Sequence, residues 1–347
     1  MTSHNDIRFG LMLTTARRAG EDESEVFART LRLARHAEEL GLDDLWVSEH
    51  HFNPAAIGSS ALTLAGHLLG ATSRIHVGTA VTVLSLHDPV HVAEQANLLD
   101  QLSSGRFTLG VGRGVPSVEF DVMGGGLDAW RTGITGPLDR VLAALRGTVP
   151  DVPGYDGPAL RLVPAARTLP HLPVYVAAGS PASLGVAAGR GLPVMLFFDK
   201  DAEAKAEMSA LYQRAAQDAG LPVPPHGHAF AVFAQVTETE QETAQLMRDQ
   251  AEFTLALNKR SGDSPTTPQD LEHLTDKLLT TQPVGRTRTC VDRLLHHISA
   301  SGCRRVMCQV ESAGDTASVL RNLERLATEV FPVVRQRAGA VPAGAGV

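Results

Sequence analysis

The sequence predicts an α/β protein, a (β/α)8 TIM barrel with insertions. Two observations carry that expectation. Eight short apolar runs of strand length alternate with segments of helical periodicity, with no block of consecutive strands or consecutive helices. Polar residues and glycines gather at the C-terminal ends of these runs, where a parallel barrel presents its functional groups. A length of 347 residues suits one large barrel or two ordinary domains, and a doubly wound open sheet with an appended domain is the alternative. The chain reads as one barrel domain over 1–335, with excursions near 115–135, 148–173 and 259–282, and a flexible tail over 336–347.

The elements follow in order. Residues 7–13 form a first strand, and 24–40 carry apolar residues at helical spacing before Gly41 ends the helix. A strand at 45–47 precedes a small-residue helix at 60–71; a third strand runs over 75–83. Asp88 followed by Pro89 caps a helix to Leu102. A strand at 107–111 leads into glycine-rich, aperiodic text, then a helix near 138–146 and a second irregular stretch rich in proline. The alternation resumes with strands at 174–177, 194–198, 229–236 and 305–310. Helices at 182–190, 201–219, 238–257, 290–300 and 317–330 separate or follow them, and a polar insertion at 259–282 interrupts. No internal repeat is visible.

Composition narrows the function classes. Hydrophobic residues make up 43% and charged residues 20%, enough to bury a sizeable core. A net charge of −7 without a basic run argues against a nucleic-acid surface, and no apolar run is long enough for a membrane span. The N-terminus lacks a signal-peptide core, which predicts a cytoplasmic protein. Cys290, Cys303 and Cys308 fit neither a disulfide framework nor a zinc site and read as buried small hydrophobes.

Three strand ends carry the candidate chemistry. The run WVSEHHF stops on Glu49, His50 and His51, and a histidine at a barrel rim can exchange a proton with a bound ligand near neutrality. Strand alternation sends Glu49 and His51 to the opposite side from His50, so only one of the two imidazoles is expected at the mouth. Neither the adjacent Glu49, His50 and His51 nor the pair His87 and His91 converges as a metal site requires, and no metal is expected. His226, His228, His296 and His297 read as solvated. The second feature is GVGRG, residues 110–114, where glycines admit a ligand to the backbone and Arg113 can pair with a phosphate. The third is AAGSPAS, residues 177–183, which places Ser180 at an N-cap, Pro181 behind it and Ser183 in the first turn. A helix start of this kind is an anion site, with Arg113 and Arg131 as possible partners.

These segments, in this order and nearly end to end, resemble the luciferase-like flavin monooxygenases. The stretches that carry the resemblance include IRFGLML, LWVSEHHF, HLLGATSRIHVGTAV, DPVHVAEQANLLDQLSSGRFTLGVGRG, PVYVAAGSPAS and PVGRTRTCVDRLL. The resemblance implies reduced flavin mononucleotide (FMN, as FMNH2), dioxygen, a small organic substrate, and hydroxylation or epoxidation through a flavin hydroperoxide. It further implies a separate flavin reductase, since no nicotinamide domain is visible, and a homodimer packed through helices 60–71 and 89–102. By the same resemblance His50 assists the oxygen chemistry. Arg113, Arg131, Gly179, Ser180 and Ser183 lie at the flavin phosphate, and Ala80 and Val81 form a cis peptide beneath the flavin ring. Gly112 stands where the light-emitting subunit has a reactive cysteine, and Gly179 where it has an acidic residue. Light emission and a long-chain aldehyde are therefore not implied, and a secondary metabolite is the substrate expected. A deazaflavin-dependent oxidoreductase of the same fold and a non-catalytic flavin-binding protein are the alternative readings.

Overall fold

The computed structural model describes residues 7–339 apart from 19, 124, 150–153, 225–226, 259–264 and 312–313. The chain runs β1 (Arg8–Leu13), α1 (Glu23–Glu39), β2 (Asp44–Val47), α2 (Ala61–Ala71), β3 (His76–Thr79), β4 (Thr82–Val83), α3 (Pro89–Leu102) and β5 (Phe107–Gly112). Three short helices follow, α4 (Val118–Met123), α5 (Gly126–Thr132) and α6 (Thr135–Leu145). Then come β6 (Val174–Ala177), α7 (Pro181–Ala188), β7 (Val194–Leu196), α8 (Ala202–Asp218), β8 (Ala229–Phe233), β9 (Gln235–Val236), α9 (Glu240–Leu257) and α10 (Pro268–Thr281). The last elements are β10 (Val284–Gly285), α11 (Thr287–Ser301), β11 (Arg305–Gln309), α12 (Thr316–Arg325) and α13 (Phe331–Gly339).

All pairings in the main sheet are parallel, in the order β3-β2-β1-β11-β8-β7-β6-β5-β4. The pairing of β3 with β5, Val77 opposite Phe107, closes it into an eight-strand barrel in which β3 and β4 share one position. The predicted strand over 75–83 is thus broken at Ala80–Val81, which is a cis peptide bond. The predicted strand over 229–236 also divides. Its last two residues leave the barrel and pair with β10 in a two-stranded sheet.

The core has two layers. Leu11, Leu13, Leu45, Val47, Val77, Leu109 and Val176 face outward and pack under the helices, while Met12, Trp46, Tyr175, Met195, Ala231 and Met307 fill the barrel. Glycines admit the largest interior ring: a Cβ on Gly78 would stand 2.5 Å from the Trp46 indole. Five of the barrel helices start on a side-chain cap. Asp22, Ser60, Asp88, Ser180 and Asp201 each accept a backbone N–H of the first turn.

The irregular stretches differ from expectation. The insertion near 259–282 holds α10, which buries Leu278 against Phe233, Met247 and Ala251; residues 259–264 lie outside the described set. Residues 336–339 complete the last turn of α13, and the rest of the expected tail, 340–347, is also outside it. His228 and His297 are buried, not solvated. Val194 N donates to His228 Nδ1 at 3.2 Å, and His297 Nε2 lies 3.0 Å from Thr281 O. His296 is exposed beside Glu203, and His226 is not among the described residues. The three cysteines are buried, and burial pushes Cys290 to about 12 and Cys303 to about 11. Among the described residues no helix is long and apolar enough to cross a membrane.

Candidate functional site at the barrel mouth

A cavity of about 1150 Å³ opens at the C-terminal ends of the strands, which is where a barrel gathers groups from several loops. Its wall includes His50, Ala80, Val81, Arg113, Gly179, Ser180 and Ser183, seven of the eight positions expected from the sequence.

His50 follows β2 by three residues. Its backbone N–H donates to Gly58 O at 2.9 Å, and its Nδ1 lies 3.2 Å from the Ser48 hydroxyl. Among the described residues Nε2 has no hydrogen-bond partner, and it lies on the cavity wall. Burial pushes the imidazole down to about 4, against the opposing pull of the Glu49 charge, so it is neutral at pH 7. A neutral imidazole with one nitrogen held and one free is suited to accepting a proton.

The floor of the cavity is the Ala80–Val81 peptide. Thr79 pins it from below: its hydroxyl donates to Gly110 O at 2.7 Å and accepts from Gly110 N at 2.9 Å. The strands approach so closely that a Cβ on Gly110 would lie 1.9 Å from Thr79 O. One turn further, a Cβ on Gly112 would meet Val81 Cγ2 at 2.7 Å, so a cysteine cannot enter there without moving Val81. After β5 the Arg113 guanidinium lies 3.9 Å over the Trp130 ring, and Trp130 Nε1 donates to Gly114 O at 3.1 Å. Among the described residues Arg113 has no acidic partner.

Beside it, after the neighbouring strand β6, stands the start of α7. Ser180 Oγ accepts from Ser183 N, and Ser183 Oγ accepts from Ser180 N at 3.0 Å, a reciprocal capping box. A Cβ on Gly179 would meet nothing within 4 Å, so the backbone there borders open space. An uncompensated guanidinium, a helix N-terminus with two hydroxyls and room at Gly179 fit an anionic group such as a flavin phosphate. Arg131 is the exception. It lies on the outer side of α5, largely exposed, with Nη1 2.8 Å from Asp128 Oδ1, because the one-turn spacing places it beside that acid and off the cavity.

His51 also differs from expectation, since it lines the cavity beside His50. Regular β2 ends at Val47, and alternation cannot be extended through the bend that follows. Beneath it Glu49, His51 and His87 bring their donor atoms within 4.8 Å of one another, a convergence the sequence reading did not anticipate. Glu49 Oε1 lies 2.7 Å from His87 Nε2, whereas two ligands of a tetrahedral ion stand about 3.3 Å apart, given bonds near 2.0–2.1 Å. The geometry is that of a hydrogen-bonded ion pair. Glu119, Trp130, Phe197, Phe198 and Asp199 complete the wall and escaped the sequence reading. Asp199 had a readable signal, as a polar residue just after a strand; Glu119 and Trp130 sit on short helices without usable periodicity.

Comparison with known proteins agrees with this architecture. The family model for luciferase-like monooxygenases matches residues 7–305. The alkanal monooxygenase alpha chain of the Kryptophanaron alfredi symbiont is 28% identical over 354 residues, covering 95% of this chain and 99% of that one. The corresponding beta chain of Photorhabdus luminescens is 25% identical over 315 residues, covering 89% and 94%. In structure, the monooxygenase RslO1 from Streptomyces bottropensis superposes with a TM-score of 0.81 at 23% identity, over 94% of this chain and 99% of that one. An F420-dependent secondary alcohol dehydrogenase superposes at 0.75 with 17% identity, over 95% and 99%. At such identities the superpositions speak for the fold alone, while the family match spans most of the sequence. The chain belongs to the luciferase-like monooxygenase family and is an enzyme of that flavin-dependent class.

Proposed function

We propose that this protein is a two-component monooxygenase that takes reduced FMN from a separate reductase and uses dioxygen to hydroxylate or epoxidise a small organic molecule. The observation that carries the reading is one cavity that joins Ala80 and Val81, an Arg113 without an acidic partner among the described residues, the capped start of α7 and a neutral His50. When bound, the flavin supplies the activation of dioxygen. Arg113, Ser180, Ser183 and the backbone at Gly179 hold its phosphate, and Ala80 and Val81 support its ring. His50 handles the proton at its free Nε2. Phe52, Phe197, Phe198 and Leu257 line the same space, and their apolar surface favours an apolar substrate and excludes water from the oxygen chemistry. Helices α2 and α3 offer the face for a homodimer.

The test is to load the protein anaerobically with reduced FMN, mix it with oxygenated buffer and follow the absorption spectrum. A persistent species ahead of oxidised flavin supports the monooxygenase reading; prompt oxidised flavin with stoichiometric hydrogen peroxide, with or without candidate substrates, counts against it. The rival is deazaflavin hydride transfer, which the F420-dependent neighbour shows this fold can carry. Tighter binding of deazaflavin than of FMN in a direct competition would select it.

A further inference from the structure

Glu49 sits where three segments meet, its own strand end, the start of α2 and residues 83–87. Its Oε2 accepts the backbone N–H of Ala61, the first residue of α2, at 3.1 Å. Its Oε1 accepts Val83 N at 3.1 Å, two residues past the Ala80–Val81 peptide. The same Oε1 stands 2.7 Å from His87 Nε2 and 3.4 Å from His51 Nε2. The carboxylate is sealed, with a side chain 1% exposed, between a cavity-lining His51 at 8% and a solvent-side His87 at 26%.

Two features say that this arrangement serves the cavity as well as the fold. His51 Nε2 is buried, and among the described residues the carboxylate nearest to it is Glu49 Oε1 at 3.4 Å. His50, next in the chain, has a hydroxyl at its Nδ1 in place of a carboxylate. Adjacent imidazoles in one cavity therefore have different partners.

We propose that Glu49 is the positioning residue of the site, fixing the backbone that supports the flavin ring and holding His51 as a second cavity imidazole with His87 as its solvent-side partner. The proposal rests on the flavin reading above. The other charged group facing His51 is Glu119 on α4, whose Oε2 lies 3.4 Å from His51 N and whose carboxyl is raised by burial. Burial tends to raise Glu49 as well, but the His51 and His87 rings and the Ala61 amide hold it at about 2. His87 is raised in turn by its bond to Glu49, against the effect of burial. The Glu49 charge is thus present throughout the working pH range.

The test combines nitrogen-15 NMR of labelled histidine side chains, without flavin or turnover, with equilibrium dialysis of oxidised FMN. In the wild type His87 should titrate above 6.5. In Glu49→Gln its midpoint should fall by about one pH unit, with FMN binding weakened about tenfold; Glu49→Asp, which keeps the charge, should recover most of the titration shift. Identical histidine titrations and FMN affinity in the wild type and Glu49→Gln would overturn the proposal. Should Glu49→Gln not fold, the wild type decides: a His87 midpoint at or below 6.5 overturns the proposal, and one above it upholds the charge pair. A wild type that binds no FMN would refute the flavin reading, while the histidine titrations still judge Glu49.

Discussion

The two ends of the barrel treat charge in opposite ways. At the N-terminal end Asp44 is buried between two guanidiniums, Arg8 Nη2 at 2.8 Å and Arg305 Nε at 3.2 Å. Arg305 also donates to the Tyr175 hydroxyl at 2.9 Å and lies 5.5 Å over the Trp46 ring. Burial would raise the Asp44 carboxyl, but Arg305 and Arg8 hold it below its ordinary value. Every charge there is answered from within. At the C-terminal end Arg113 has only an aromatic ring for company and His50 keeps a nitrogen free. Charge completed internally contributes to stability; charge left incomplete at a cavity is available to a ligand.

The largest effect that could break this contrast is expected at the N-terminal end. Asp44→Ala strands two arginines and should lower stability by about 3–5 kcal/mol, read from urea unfolding. A loss below 1 kcal/mol would show that this end is not the stabilising one. At the mouth, His50→Ala should cost about 100-fold or more in turnover while changing unfolding little, and unchanged turnover would remove its acid–base role. Arg113→Ala should weaken FMN binding by about tenfold to hundredfold in dialysis, with unfolding again nearly unchanged. Glu49 sharpens the division, since it lies at the mouth yet is fully partnered. Its carboxyl is held at about 2 against an ordinary 4.5, so its stabilisation is full above pH 4.5 and is lost as pH falls toward 2. That loss should amount to roughly 3 kcal/mol in unfolding measured across this window. The smallest effect belongs to Arg131→Ala, which should leave FMN affinity within about twofold because its ion pair with Asp128 is on the surface.

The barrel was legible because its strands are short apolar runs and many of its helices start on a capping side chain, signals that are local in sequence. His50 and Arg113 were legible for the same reason, as polar residues that end such runs. What escaped is partly non-local. Glu49 meets His87 across 38 residues, and no spacing rule links them. His51 was misplaced because strand alternation was carried past Val47, where the strand ends. Arg131 was assigned to the phosphate by resemblance, and only the pairing with Asp128 within α5 shows where its side chain goes. Trp130 and Glu119 lie in text whose short helices bury too little to impose a period.

The stacking of Arg113 on Trp130 has an optical consequence. The chain contains two tryptophans. Trp46 is enclosed within the barrel, packed against Tyr175 and Arg305, and does not line the cavity. Trp130 lies on the cavity wall against Arg113, the side chain proposed to meet the phosphate. The two indoles therefore report from different depths, one touching the cavity and one buried behind it, and Trp130→Phe separates the two signals.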